Sequence, residues 1–333
     1  MEIAKLSKNF VCLRVTTMDD VDINLFRCDY DLTFSQFFLN AQGHMYARYG
    51  VRVDGDGEKM QSLEGIRDAM RKALELHKKE ATKAPAAWKP VETQDLLSFK
   101  KDPRRPGGCL HCHHAGYYVR KEEYAIGRIT KETVWAFPPP QNIGLEMDID
   151  RNTIVKGATG AAEKAGIQAG DRVVSVDGQR SVTPADIVWA LNGFKSGPLK
   201  VVVERDGKNS TKTVDLKGFE WRKTDITWRD SWWDSGPDIG ITGDDLTEDE
   251  AKKLGIGGTD PIAVRVTKLR PKGAAEVSGV LVDDVIVNVD GKTSGLGAIE
   301  ILMHVRLTRK QGDSMPLVVQ RGKQRIPITV KFK

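Results

Sequence analysis

The strongest constraint in this sequence is a duplication. The run Ala161-Ala-Glu-Lys-Ala-Gly166-Ile-Gln-Ala-Gly-Asp171-Arg-Val-Val-Ser-Val-Asp177-Gly178 returns 113 residues later (166 to 279) as Ala274-Ala-Glu-Val-Ser-Gly279-Val-Leu-Val-Asp-Asp284-Val-Ile-Val-Asn-Val-Asp290-Gly291. A repeat at this spacing requires one small fold, built twice. Each copy reads as a short helix starting at Ala-Ala-Glu and a left-handed glycine cap at Gly166 or Gly279. An apolar strand led by Asp171 or Asp284 follows, and then a tight Asp-Gly turn. A helical stretch comes next, Pro184–Leu191 or Ala298–Arg306, and each copy closes on a hairpin turning at Arg205-Asp-Gly207 or Arg321-Gly322.

The pattern G-I-x-x-G-D-x-V/I-x-x-V-D/N-G in these runs resembles the bacterial PDZ domain, over roughly residues 141–217 and 237–333. The second copy adds Leu246–Ile256, an insertion similar to that of PDZ domains attached to envelope serine proteases, and departs at Val282-Asp283, where a small residue and Gly are expected. The resemblance implies binding by strand addition at a sheet edge. Its carboxylate-binding loop maps onto Asn142, Ile143, Gly144 and Leu145, and onto Asp238, Ile239, Gly240 and Ile241. Gly144 and Gly240 would let backbone N–H groups converge on a peptide carboxylate. The groove's far wall would be Ile187, Ala190 and Leu191 in copy one and Ile301, Leu302 and Val305 in copy two. These walls are apolar, so the expected partners are hydrophobic protein C-termini or extended internal peptides. The alternative is that a groove is filled by the chain itself, copy one above all, because the Trp-rich bridge Trp221–Trp233 must pack somewhere. That bridge would join the two copies or present its tryptophans to a partner.

Upstream, Glu2–Lys8 reads as a short helix and Phe10–Val15 as a strand. Leu32–Leu39 reads as a buried strand turning at Asn40–Gly43 into the strand His44–Gly50. In the helix Ser62–His77 the residues Leu63, Ile66, Met70, Ala73, Leu74 and His77 share one face. The motif T-F-x-x-F-F-L-N-A-x-G-x-x-Y-x-R-Y-G resembles the central hairpin of a thioredoxin-like domain, over about residues 1–80. Its strand and helix with the Cys-x-x-Cys pair are missing, and Leu32 stands where a cis-proline is usual. The resemblance therefore implies a scaffold without dithiol chemistry.

Between these regions lies a Pro/Gly/basic linker (Pro85, Pro90, Pro103, Pro106, Gly107, Gly108), then Cys109-Leu-His111-Cys112-His113-His114, which holds three of the chain's 6 histidines. Cys-x-x-Cys-His is the attachment motif of haem c: Cys109 and Cys112 would form the thioethers and His113 would ligate the iron. Gly107-Gly108 and the aromatic pair Tyr117-Tyr118 suit a flat ring, and Met45, Met70 or His77 are candidates for the sixth ligand. Two alternatives stay open. One is a zinc site on Cys109, Cys112, His111, His113 or His114. The other is a redox disulfide or inert thiols, with no cofactor. Cys12 and Cys28 read as small buried residues.

A net charge of +5 with interleaved signs excludes a nucleic-acid stripe. No apolar run reaches the roughly 20 residues of a membrane span. Met1–Leu6 lacks the apolar core of a signal peptide; because the first domain reads as incomplete, an export signal is expected upstream, and with it a periplasmic or envelope location. Were Met1 the true start, the location would be cytoplasmic. No Gly-x-Ser-x-Gly elbow and no Ser/His/Asp pattern is present, so no catalytic residue is assigned.

The fold class expected is α+β and multidomain: an incomplete thioredoxin-like α/β domain (1–84), a connector carrying Cys-x-x-Cys-His (85–136), a first PDZ β-barrel-like domain (137–218), and the Trp-rich bridge with a second (219–333). This arrangement resembles a group of bacterial envelope proteins. The function expected is a non-catalytic peptide-binding adaptor with a cofactor or metal centre. Alternatives are a haem c or thiol oxidoreductase and a scaffold without cofactor.

Overall fold

A computed structural model describes residues 2–103, 109–232 and 236–332. Pro106, Gly107, Gly108 and Trp233 lie outside them. In chain order the elements of the N-terminal region are α1 (Glu2–Leu6), β1 (Gln36–Leu39), β2 (Met45–Tyr49) and α2 (Leu63–Glu80), and those of the connector are α3 (Leu97–Lys100), α4 (Cys112–Ala125) and α5 (Lys131–Val134). Copy one contains β3 (Leu145–Met147), β4 (Val155–Ala158), α6 (Gly160–Lys164), β5 (Arg172–Val176), β6 (Gln179–Arg180), α7 (Pro184–Gly193), β7 (Pro198–Arg205) and β8 (Lys208–Asp215). Copy two contains β9 (Ile241–Asp245), α8 (Glu248–Lys253), β10 (Val264–Leu269), α9 (Ala274–Val277), β11 (Val285–Val289), α10 (Ala298–Thr308), β12 (Ser314–Arg321) and β13 (Gln324–Lys331). The chain divides into two compact units, Met1–Glu122 with Trp135–Ser231, and Glu123–Val134 with Trp232–Lys333.

In the first unit β1 and β2 form an antiparallel hairpin. Asn40 builds its turn by accepting the Gln42 and His44 N–H groups on Oδ1 and donating to the Ala81 and Lys83 carbonyls. The helix α2 starts at Ser62, whose hydroxyl accepts the Gly65 N–H. Its buried stripe is Gly65, Ala69, Met70 and Ala73, packed on Phe38, Tyr46, Ala47 and Tyr49. Leu63, expected on that face, is exposed. Phe10–Val15 is not a strand. Only Phe10 packs inward, on Phe38, while Val11, Leu13 and Val15 stay exposed. The segment has a strand's composition, but among the described residues no neighbour completes its ladder, and propensity alone does not make a strand. Cys12 is accordingly exposed.

Copy one pairs β3 with β4 and orders its main sheet β6-β5-β7-β8. In the second unit one sheet runs β13-β12-β11-β10-β9, which leaves β9 at the edge. The glycine caps lie where expected, Gly166 at φ 82° and Gly279 at φ 98°. One clamp, a half-exposed arginine on a buried aspartate, occurs twice. Arg205 grips Asp171 with Nε and Nη2 at 2.6 and 2.8 Å and reaches the Gly166 carbonyl at 2.9 Å. Arg321 grips Asp284 at 2.8 and 2.8 Å and reaches the Gly279 carbonyl at 3.0 Å. The hairpin turn is thereby bolted to the cap of the short helix, and the Asp of the repeat is an ion-pair residue of the core.

Candidate functional site

In copy one the expected binding elements are present but covered. Gly144 adopts φ 86° and ends a 3-10 turn over Pro140–Ile143. Ile143, Leu145, Ile187, Ala190 and Leu191 are at most 1% exposed, in one cluster with Val51, Val53 and Met60 from the N-terminal region. Ile187 and Leu191 thus belong to the core. The adjoining face of α7, with Ala185 and Val188 also buried and Trp189 beside them, borders a small cavity of ≈ 30 Å³ together with Arg48, Val51 and Arg52. Residues 48–53 are held there by the N-terminus of α7. The Asp186 carboxylate accepts the Arg48 N–H at 3.0 Å as well as those of Val182 and Thr183, and the Thr183 hydroxyl donates to the Arg48 carbonyl. Met60 reaches the loop itself, its sulfur 3.2 Å from Gln141 Nε2.

The other end is closed by the segment after β8. Arg222, 1% exposed, donates to the carbonyls of Trp135 (3.1 Å), Leu191 (3.1 Å), Asn192 (2.8 Å) and Phe194 (3.0 Å) and to Asn192 Oδ1 (3.2 Å). These include the last carbonyls of α7, which a helix leaves without internal partners. Beside it, Asn142 donates to the Lys223 carbonyl at 3.2 Å, and Trp221 packs on the same core.

In copy two β9 pairs with β10, and among the described residues no strand pairs with its outer edge. Gly240 adopts φ 77°. Ile239 is fully buried, Ile241 half-buried, and Ile301 and Val305 lie in the core. Leu302 is the one expected wall residue of α10 that remains half-exposed. The helix start is tied to β9, for Asp245 Oδ1 accepts the Ala298 N–H at 2.9 Å. The loop has an unexpected feature: Asp238 accepts the Gly240 N–H at 2.9 Å on Oδ1 and pairs with Arg270 Nη2 at 2.6 Å on Oδ2.

The Cys/His segment sits at the start of α4. Leu110 is 1% exposed and pinned, its N–H donating to Thr17 Oγ1 (3.0 Å) and its carbonyl accepting the Met18 N–H (2.7 Å). Anchoring this one residue leaves Cys109, His111 and Cys112 on the surface. The rings of His111, His113 and His114 pack on one another with centroids 4.3–5.7 Å apart. Among the described residues no three Cys, His, Asp or Glu side chains are placed to hold one metal ion. Partial burial raises the Cys112 thiol above its ordinary value and lowers His114, with His113 and His111 adding to the latter. Cys28 is raised much further, by burial and then by Asp29. Cys28 and Cys112 are therefore protonated at neutral pH, unlike an activated thiolate. Tyr118 is buried against Phe99, with ring centroids 4.8 Å apart. Met70 is buried under the hairpin, Met45 lies in β2, and His77 Nδ1 is 2.8 Å from the Tyr46 hydroxyl.

One site-forming cluster escaped the sequence reading. Arg229 donates to Asp29 at 2.5 Å. Asp31 accepts from the Ser231 N–H (2.7 Å) and hydroxyl (2.5 Å) and from Arg120 (3.3 Å), and Arg120 donates to Ser231 Oγ at 2.6 Å. All five side chains are buried. The cluster fastens α4 and the end of the Trp-rich bridge to residues 29–31. Within the bridge, the guanidinium groups of Arg52 and Arg229 both pack on the Trp228 ring, at 4.6 and 4.4 Å. Trp232, in the second unit, is buried beside Arg306.

Residues 154–205, in copy one, match the family model described as "PDZ domain". This stretch of copy one is therefore PDZ-like. A probable periplasmic serine endoprotease DegP-like of Pseudomonas putida (strain GB-1) is 27% identical over 122 residues, 36% of this chain and 23% of that protein. The zinc metalloprotease RasP of Geobacillus kaustophilus (strain HTA426) is 38% identical over 55 residues, 16% of this chain and 13% of that protein. The chain thus spans less than a quarter of the length of either relative. Among solved structures, an HtrA3 PDZ domain bound to a phage-derived ligand (FGRWV) is 20% identical with a TM-score of 0.23, covering 28% of this chain and 83% of that one. An HtrA-type protease, AlgW with a tripeptide, is 15% identical with a TM-score of 0.28, covering 53% and 57%. No helix among the described residues is long and apolar enough to cross a membrane.

Proposed function

We propose that this chain is a non-catalytic peptide-binding protein of the bacterial cell envelope, and that it captures extended polypeptide in the groove between β9 and α10. On this reading copy two is a second PDZ-type domain with an open groove, and copy one is a PDZ domain whose groove its own chain occupies. The observation that carries the reading is the outer edge of β9, beside the left-handed Gly240 loop and the half-exposed Leu302. An edge of unpaired backbone groups next to an apolar wall is what strand addition requires. The envelope location is supported by the periplasmic relative and by the resemblance of the whole arrangement to envelope proteins. Residues 1–84 are read as a thioredoxin-like remnant, supported by the β1–β2 hairpin and the packing of α2 on it.

A peptide-array screen of the full chain tests this. Gly240→Arg places a side chain on a left-handed residue whose Cβ would stand 3.3 Å from Gly273 Cα, and Leu302→Glu charges the wall. Each should weaken binding at least tenfold, and undiminished binding in both variants refutes the site.

A second reading, haem c on Cys109 and Cys112 with His113 as iron ligand, draws support from the surface position of both thiols around the pinned Leu110. Zinc would instead require the imidazole cluster to rearrange. A pyridine-haemochrome spectrum of protein made in a host that matures c-type cytochromes, with elemental analysis for zinc, separates these from a cofactor-free chain.

A further inference from the structure

We infer that the copy-two groove takes an internal extended segment and needs no free carboxyl terminus. This inference rests on the reading of the β9–α10 groove given above. A loop of convergent N–H groups attracts one carboxylate, and here the chain supplies it. The Gly240 N–H points at Asp238 Oδ1 (2.9 Å), and Arg270 holds the other oxygen at 2.6 Å. The Asp238 side chain is 11% exposed and thus fixed within the loop. A ligand carboxylate arriving there would compete for the same N–H and face a like charge at short range in a partly desolvated site. An amide bond continuing past the loop carries no such penalty. Copy one has Asn142 at the corresponding position, where it donates to a carbonyl, so this feature belongs to copy two alone.

The same geometry specifies the segment. At the loop end Ile241 is half-buried against the core, and Leu302 is the half-exposed apolar residue of α10. At the other end of β9, the carboxylates of Asp245 and of Glu300, in the first turn of α10, both lie against Gly297. The two ends are four residues apart, about 13 Å at the rise of a strand. A strand laid along β9 would therefore place an aliphatic or aromatic residue over Ile241 and a Lys or Arg about four positions away, near the acidic end.

The test uses two phage libraries of random twelve-residue peptides panned on the full chain, one displayed with a free C-terminus and one flanked on both sides. The flanked library should enrich at least as strongly, for peptides pairing an apolar residue with a basic one about four positions away. A selected peptide made as free acid and as C-terminal amide should bind at least as well as the amide. Asp238→Asn keeps an acceptor for Gly240 but removes the charge, and should improve the free acid relative to the amide tenfold or more. Enrichment of the free-terminus library alone, or an acid-to-amide ratio unmoved by Asp238→Asn, overturns this inference while leaving the groove intact. If neither library enriches, or if Leu302→Glu and Gly240→Arg both leave selected peptides bound, the groove reading fails and this inference with it.

Discussion

Replacing Arg222 by Met should unfasten copy one from the segment that closes it. The guanidinium is buried and makes five hydrogen bonds, four to backbone carbonyls. Hydrogen bonds to a charged group contribute about 1.5–3 kcal/mol each when measured singly. Five that share one group do not add, and removing a buried cation recovers part of its desolvation cost. What remains is several buried carbonyls without donors, a loss of about 3 kcal/mol. Urea unfolding followed by tryptophan fluorescence reports mainly the first unit, since five of the seven tryptophans (Trp88, Trp135, Trp189, Trp221 and Trp228) lie in it. At a urea dependence of about 2–3 kcal/mol/M the first transition should move down by about 1–1.5 M with little change in slope. Arg222→Lys should recover less than half, because an ammonium lacks the planar fork. Amide exchange at Ile143–Leu145 should quicken as the segment lifts. A shift below about 0.3 M, or full rescue by Lys, would show that Arg222 does not hold the closure.

Other outcomes follow from the ion pairs and the turns. Asp171→Asn and Asp284→Asn should destabilise their own units by similar amounts, about 2–3 kcal/mol, because the two clamps share one hydrogen-bond set. Separate calorimetric transitions would read this, and a cost confined to one copy would contradict the equivalence. Glu80 is held at about 2 instead of 4.5, chiefly by hydrogen bonds from Arg180, with burial opposing and His44 and Lys83 assisting. Its stabilisation is present above pH 4.5 and is lost as pH falls toward 2. Screening through the half-exposed Arg180 and Lys83 limits it to about 1–2 kcal/mol, and Glu80→Gln should flatten the acid limb of the melting curve by that amount. Asp283 sits at φ 70° where copy one has Gly170 at φ 88°, so Asp283→Gly should stabilise the second unit by up to about 1 kcal/mol, measured by its thermal midpoint.

Much of copies one and two was legible because their signals are local. Gly166, Gly279, Asp177-Gly178 and Asp290-Gly291 each demand a backbone conformation that neighbouring residues do not override. The β1–β2 hairpin was legible at Asn40 for the same reason. Wall residues were harder, since a helix buried on two sides shows weak periodicity: Ile187, Ile301 and Val305 read as groove but face the core, while Val188 borders the small cavity and Leu302 is half-exposed. Phe10–Val15 misled because strand composition cannot announce whether a partner exists. The Asp29/Asp31/Arg120/Arg229 cluster and the Arg222 cap were invisible, for each joins residues some 30 to 200 positions apart and each member alone looks like an ordinary surface charge.

The two copies share their clamp and caps, yet they differ in what lies against the helix. In copy one Val188 is 7% exposed and lines a small cavity with residues 50–52, while its counterpart Leu302 stays half-exposed. A covering segment on the same chain is a ligand at high effective concentration. An outside peptide of ordinary micromolar affinity cannot displace one that is also fastened by Asp186, Thr183 and Arg222. On the function proposed above, copy one works as a structural support, and the chain offers one groove, not two. Calorimetric titration with a peptide selected on the full chain should give one equivalent bound, lost in Leu302→Glu and retained in Val188→Glu variants that still fold. Two equivalents, or binding that survives Leu302→Glu but not a change at Val188, would reverse the assignment of open and closed copies.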